Sequence, residues 1–229
     1  MTIGPLLFAA FSELKNASRG IISGTKLEYI ADLINKYAIY SAIAQIGSLI
    51  GGFAAVVAII TQTGIIWSLY LKINEELGIS SSKNVIKFVA SAMLTNMVGQ
   101  AGANIIAIVA TWLIGLIPIF NVVAITAEII FAYVIVYASA LIYLKVLTNF
   151  FKAKGDFQLD ESDETKDIIK QVVKDTDISS IIKEGRKAFK EAKDNGEIDY
   201  AMNHPQCYNC GAKITKEQTF CHQCKTKLK

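Results

Sequence analysis

The sequence predicts an all-α fold: apolar helical hairpins or a helical bundle, followed by a small cysteine-bearing appendage. Three observations carry this prediction. Two long stretches, 37–71 and 88–127, hold no charged residue. All four cysteines fall between Cys207 and Cys224, in two C-x-x-C pairs. Charge is also unevenly divided. Residues 1–150 hold eight Lys or Arg and six Asp or Glu, whereas 151–229 hold fifteen and fourteen. The chain therefore divides into a helical apolar domain at 1–150, a charged amphipathic helical linker at 151–201 and the cysteine module at 202–229. Each part has a net charge near zero, so no global basic field points to nucleic acid.

Residues 4–18 read as a short helix, apolar from Leu6 to Phe11, that packs on the main domain or lies in a membrane interface. Thr25-Lys-Leu-Glu28 fits a capping box, in which the Thr hydroxyl accepts from the N3 amide and the Glu reaches back. Leu27, Ile30, Ala31 and Ile34 then recur at helical spacing. One unbroken helix over 37–71 would run about 50 Å, against about 30 Å of bilayer hydrocarbon. Gly51-Gly52 and Gly64 are the expected break points, because Gly is the weakest ordinary helix former. Gly78 followed by Ser80-Ser81-Ser82 reads as a helix stop and a new N-cap. The second uncharged stretch is interrupted at Pro118, which cannot donate to a helix ladder. A tight hairpin is expected there, with its second arm from Val122 to about Leu147. Beyond it, Ile168, Ile169, Val172 and Val173, then Ile181, Ile182 and Phe189, suggest two short amphipathic helices. They fit a docked pair and a solvated spacer equally. Asn195-Gly196 ends them, and the cysteine module begins after Pro205.

A helix hydrophobic on every side belongs to a membrane or to a large core. A 150-residue domain has too much surface to enclose several such helices. Both uncharged runs exceed the span threshold, so insertion in a lipid bilayer is expected. Asn96, Gln100 and Asn104 recur every fourth residue and so share one helix face. In a bilayer they would bond across helices beside small residues. Gly47-x-x-x-Gly51 permits close helix approach, which leaves self-association into a homo-oligomer open. Glu128 is the only charge between Lys87 and Lys145. A carboxylate at that depth is costly, and it marks either a hydrogen-bonded core group or an ion-sensitive one. Lys145, Lys152 and Lys154, with Lys15, Arg19, Lys26 and Lys36, place both ends of the domain on the cytosolic side. The opening residues, with no basic segment before Leu6, read as a poor signal peptide.

Cys207-Tyr-Asn-Cys210-Gly and Cys221-His-Gln-Cys224-Lys are two knuckles separated by ten residues. Each can turn two thiolates onto one ion, and together they complete a tetrahedral Cys₄ site. Two disulfides or a redox pair are the other readings of such spacing. Zn²⁺ is the default ion for a closed Cys₄ centre; iron also fits. Four protein ligands leave no open position, so the ion is expected to be structural. Lys213, Lys216, Lys225, Lys227 and Lys229 surround the site and offset its charge. Only Tyr208 and Phe220 could stack on bases, which disfavours nucleic acid. His222 lies between ligands and reads as a surface residue.

Residues 202–229 resemble the short zinc ribbons appended to many bacterial membrane and regulatory proteins, on Cys207, Cys210, Gly211, Cys221 and Cys224. Lys225 stands where that pattern commonly has Gly. Residues 40–147 look like the YcjF-like helical domain, on Gln62, Leu69, Gly78 and Ile117-Pro118. That resemblance implies association with the bacterial cytoplasmic membrane and a separate GTPase or other cytosolic protein as partner. It implies no catalytic residues. Gly20-Ile-Ile-Ser-Gly24-Thr25-Lys26 is one residue short of a phosphate-loop spacing. The only histidines are His204 and His222, so no Ser/His/Asp set can be assembled in the helical domain. The expectation is a non-enzymatic membrane protein whose cytosolic zinc ribbon is a structural protein-docking module. The runner-up is a pore-forming or permeability protein with a polar path along Asn96, Gln100, Asn104 and Glu128. A soluble bundle that visits membranes is the third.

Overall fold

A computed structural model describes residues 4–18, 22–49, 54–79, 81–93, 95–96, 120–156, 159–207, 209–215 and 218–226. At 46–49, 54–61 and 120–128 it describes the helical backbone alone. The described residues form eight helices: α1 (Pro5–Ala17), α2 (Gly24–Leu49), α3 (Ala54–Leu77), α4 (83–93), α5 (Phe120–Lys154), α6 (Asp163–Asp175), α7 (Ile178–Asp194) and α8 (Glu197–Asn203). No strand occurs among them; Gln206 and Lys213 form one isolated antiparallel bridge.

Helices α2, α3 and α5 build the centre of a bundle, and α4 meets it where the Tyr70 hydroxyl lies 3.5 Å from Met93 Sδ. Side-chain contacts set its register. Lys26 Nζ donates to the Glu76 carbonyl at 2.8 Å, and Ser41 bonds Gln62, so α2 and α3 are antiparallel. Ser41 Oγ also donates to the Ala132 carbonyl, at 2.6 Å. The Tyr70 hydroxyl donates to the Ser139 carbonyl at 3.0 Å, and the Tyr143 hydroxyl to Asn74 Oδ1 at 2.6 Å. Hence α3 and α5 run the same way. The Tyr70 and Tyr143 rings stack at 4.0 Å between them. The core therefore has a polar seam of paired hydroxyls and amides. Each buried polar atom it satisfies avoids a desolvation cost of about 1–3 kcal/mol.

Helix ends follow local chemistry. α3 ends in a Schellman motif: Gly78 has φ +71°, Ile79 N–H bonds the Asn74 carbonyl and Gly78 N–H bonds that of Glu75. Ile79 is buried against the motif, and Ser82 caps α4 by accepting from Val85 N–H at 3.2 Å. This matches the stop and cap expected at Gly78 and the serines. At α2 the cap is Ser23, whose hydroxyl accepts from Lys26 N–H, so the start lies before the Thr25-Glu28 box. Thr25 Oγ1 instead bonds Ser23 Oγ at 3.0 Å. The helix α3 continues through Gly64. Gly51-Gly52 and Pro118 lie outside the described residues.

Around the bundle lies a coat of amphipathic helices. α1, α6 and α7 all pack on α5. α6 turns Ile169, Val172 and Val173 inward, and α7 turns Ile181, Phe189 and Ala192. The two helices expected from 160–195 are thus docked, with their charges facing out except for Glu184, which is buried. As a result α5 is buried almost without interruption from Ala132 to Leu144, and again from Val146 to Thr148. Among the described residues one stretch, Ile129–Lys154, is long and apolar enough to cross a membrane, and most of it is buried within the chain. Length and composition alone do not separate such a helix from the core helix of a bundle.

Candidate metal centre

The chain climbs the bundle to reach the cysteines. α7 runs antiparallel to α5: Glu184 bonds Tyr137, and Phe189 meets the Tyr133 ring edge-on at 5.5 Å. Asn195-Gly196 then turns the chain, Gly196 at φ +73°, into the short α8, which the sequence reading did not separate. Glu197 accepts from Asn35 Nδ2 at 2.7 Å, while Asn35 Oδ1 accepts from the Tyr133 hydroxyl at 2.6 Å. That chain of bonds ties α5, α2 and α8 together. One step further, the Tyr40 hydroxyl bonds Gln206 Oε1 at 3.4 Å, next to Cys207. The cysteine module is therefore seated against α2.

Cys207, Cys210, Cys221 and Cys224 place their sulfurs within 4.8 Å of one another. All four are free cysteines. The Cys207 and Cys224 sulfurs are 3.6 Å apart, and those of Cys210 and Cys221 are 3.5 Å apart. A tetrahedron of thiolates at a Zn–S distance of about 2.3 Å has S···S edges of roughly 3.8 Å, so the cluster fits such an ion.

The two knuckles repeat one backbone pattern. In the first, Cys207 N–H bonds the Ala212 carbonyl and Gly211 N–H bonds that of Cys207, both at 2.8 Å. In the second, Cys221 N–H bonds the Thr226 carbonyl at 2.8 Å and Lys225 N–H bonds that of Cys221 at 3.0 Å. Inside each turn, N–H groups converge on sulfur: Asn209 and Cys210 on Cys207, Gln223 and Cys224 on Cys221. Such donors stabilise thiolate over thiol. The fifth position of each knuckle needs a left-handed backbone. Gly211 has φ +74° and Lys225 φ +59°, the one non-glycine with positive φ among the described residues.

Burial pushes the Cys207 thiol up to about 12, against the N–H donors of Cys210 and Asn209. Burial also acts to raise Cys224, but the hydroxyl and N–H of Thr226 together with hydrogen bonds from Cys210 and Cys207 outweigh it and bring Cys224 down to about 6. Thr226 Oγ1 lies 3.1 Å from Cys224 Sγ and accepts from Asn209 Nδ2 at 2.8 Å. As a thiol Cys224 donates to this oxygen; once it ionises, the Thr226 hydroxyl can rotate to donate to the sulfur instead. Asn209 belongs to one knuckle and Thr226 follows the other, so this polar chain fixes their mutual distance. Sequence reading missed both residues. Neither falls in a ligand pattern, and only their nearness to the cysteines could have suggested them. His222 is exposed and stands outside the sulfur cluster.

Of the other candidate residues, Asn96 alone has a described side chain. Asn96 Nδ2 donates to the Ala92 carbonyl, four residues before it, at 2.8 Å. Gly47 lies within α2, and Glu128 within α5 as backbone only. Gly51, Gln100 and Asn104 lie outside the described residues. No protein-family model, curated protein or solved structure matches this chain.

Proposed function

We propose that this chain is a non-enzymatic, membrane-seated scaffold that carries a structural zinc module as a docking element. The observation that supports it is a mismatch of lengths. The polar coat of α1, α6 and α7 covers α5 from about Ala132 onward. The uncharged runs 37–71 and 88–127 are each longer than the stretch of α5 so covered. At the edge of the coat Phe131 is 42% exposed. Uncharged runs of that length need an apolar medium around them, and a bilayer supplies one. On this reading the base of the bundle, with α6, α7 and the cysteine module, stays in the cytosol, where thiolates remain reduced.

The cysteine centre supports the non-enzymatic half of the proposal. Four sulfurs close the coordination sphere, which leaves a bound ion no position for substrate. What such an ion contributes is a fixed turn geometry for 207–226. Because the module is seated on α2, it presents one rigid surface. A cytosolic partner, including the GTPase implied by the YcjF-like resemblance, would meet it in a single orientation.

Alkaline carbonate extraction of membranes from cells expressing the tagged chain tests the reading. Retention in the pellet is expected. Full release into the supernatant would sink the membrane seat and make the uncharged runs part of a soluble core.

A further inference from the structure

We infer that the cysteine module forms an interfacial anchor for an anionic lipid surface; this rests on the membrane seat proposed above. Position comes first. Contacts made by α7 and α8 rise steadily along the bundle: Glu184 at Tyr137, Phe189 at Tyr133, Glu197 at Asn35, Gln206 at Tyr40. Each step moves toward the end where the polar coat stops. The module therefore stands beside α2 at a point about 13 Å, nine residues, below Leu49. From residue 37 onward α2 carries no charge. A bilayer that receives this end brings its headgroups to the module.

An exposed aromatic marks the same level. Five large hydrophobic side chains are exposed among the described residues: Phe8, Tyr29, Phe131, Tyr200 and Phe220. Phe131 lies two residues above Tyr133, Tyr200 is on α8, and Phe220 precedes Cys221. Phe131, next to Ala132 at Ser41, thus stands close to the height at which Gln206 meets Tyr40, where aromatic side chains favour the headgroup region.

Charge selects the lipid. Residues 205–229 hold five lysines and one glutamate. The four thiolates with a divalent ion leave the module net positive. Lys213 and Lys225 are exposed. Cationic groups beside an aromatic shoulder at this height match an anionic headgroup layer. An acidic protein would explain the lysines but not the aromatic at the edge of the coat.

The test uses the full metal-loaded chain in nanodiscs of phosphatidylcholine alone or mixed with phosphatidylglycerol. Amide hydrogen exchange is read at 205–226, with 132–150 as the internal reference. Phosphatidylglycerol should slow exchange in 205–226 by about fivefold per lysine engaged. High salt should reverse the effect, and the reference should not move. Lys213→Glu should abolish it at unchanged metal content. If that variant loses metal, the milder Lys213→Gln, read the same way, should still weaken it. Equal exchange in both discs would overturn the inference while leaving the membrane seat intact. A chain that enters neither disc would overturn the seat and the anchor together.

Discussion

At the residue scale, Glu184 joins three helices through one carboxylate. It is buried, and it accepts from Leu6 N–H at 2.7 Å, Leu7 N–H at 3.0 Å and the Tyr137 hydroxyl at 2.9 Å. Gly4, the N-cap of α1, has no side chain to satisfy those amides, so a residue 180 positions away does it. The positive end of the α1 dipole adds to the attraction. The absence of a Cβ at Gly4 makes room: one built there would lie 2.5 Å from the Glu184 carboxyl. Glu184→Ala should therefore lower stability by about 2–3 kcal/mol, since it orphans two amides and a buried hydroxyl. Thermal melts will read the loss, and faster exchange of the α1 amides should accompany it. An unchanged melting temperature would mean that α1 docks by apolar contact alone. Lys225 makes the opposite case. Its φ of +59° costs a side-chain-bearing residue about 1 kcal/mol that Gly211 does not incur at the matching position. Lys225→Gly should raise metal affinity about fivefold in a chelator competition. A drop would show that the lysine side chain matters more than its backbone.

At the scale of elements, the helices most legible in the sequence were those whose two faces differ. The apolar spacing of 168–189 gave α6 and α7, and Gly78 with the serines gave the end of α3 and the start of α4. Docking of α6 and α7 was not legible, because amphipathic spacing fixes a buried face without naming what buries it. The same holds for Glu184 and for Asn35, whose partners are distant in the chain. Spacing within a turn was decisive only for the cysteines, where four ligands of one chemistry sit in a repeated local pattern. The start of α2 was misplaced because Ser23 and Thr25 are both competent caps, and the choice depends on which amide each can reach. α6 carries a cap with a measurable acid response. Asp160 accepts from the hydroxyls of Ser162 and Thr165 and from Ser162 N–H, which hold its carboxyl at about 2, below its ordinary 3.8. A depressed carboxyl binds its proton less readily in the folded state than in the unfolded one. Its contribution is thus complete above pH 3.8 and disappears as pH falls through about 2. Exchange in 159–166 should accelerate across that window, and in Asp160→Asn the same step should be missing. A wild-type profile flat between pH 4 and 2 would remove Asp160 from the cap.

At the scale of the molecule, two kinds of cohesion meet at α8. The bundle is held by apolar burial, with α5 enclosed by α2, α3 and the coat. The cysteine module has almost no core of its own: Cys207 and Cys221 are its only buried hydrophobic residues among those described. So small a segment cannot bury enough apolar surface to hold itself, and a metal is the usual substitute. The bundle needs no such help. Removal of metal with a strong chelator should therefore melt 205–226 and leave the eight helices nearly intact. Far-ultraviolet circular dichroism should barely change, whereas all four thiols should become reactive and exchange in 205–226 should rise to the unprotected rate. Readdition of one equivalent of Zn²⁺ should restore both. The bonds of Asn35 and Glu197 lie on the bundle side of this boundary, so α8 should stay protected while the module opens. If chelation instead unfolded α8 and the upper part of α7, the metal would be stabilising the coat as well, and the two units would fold as one.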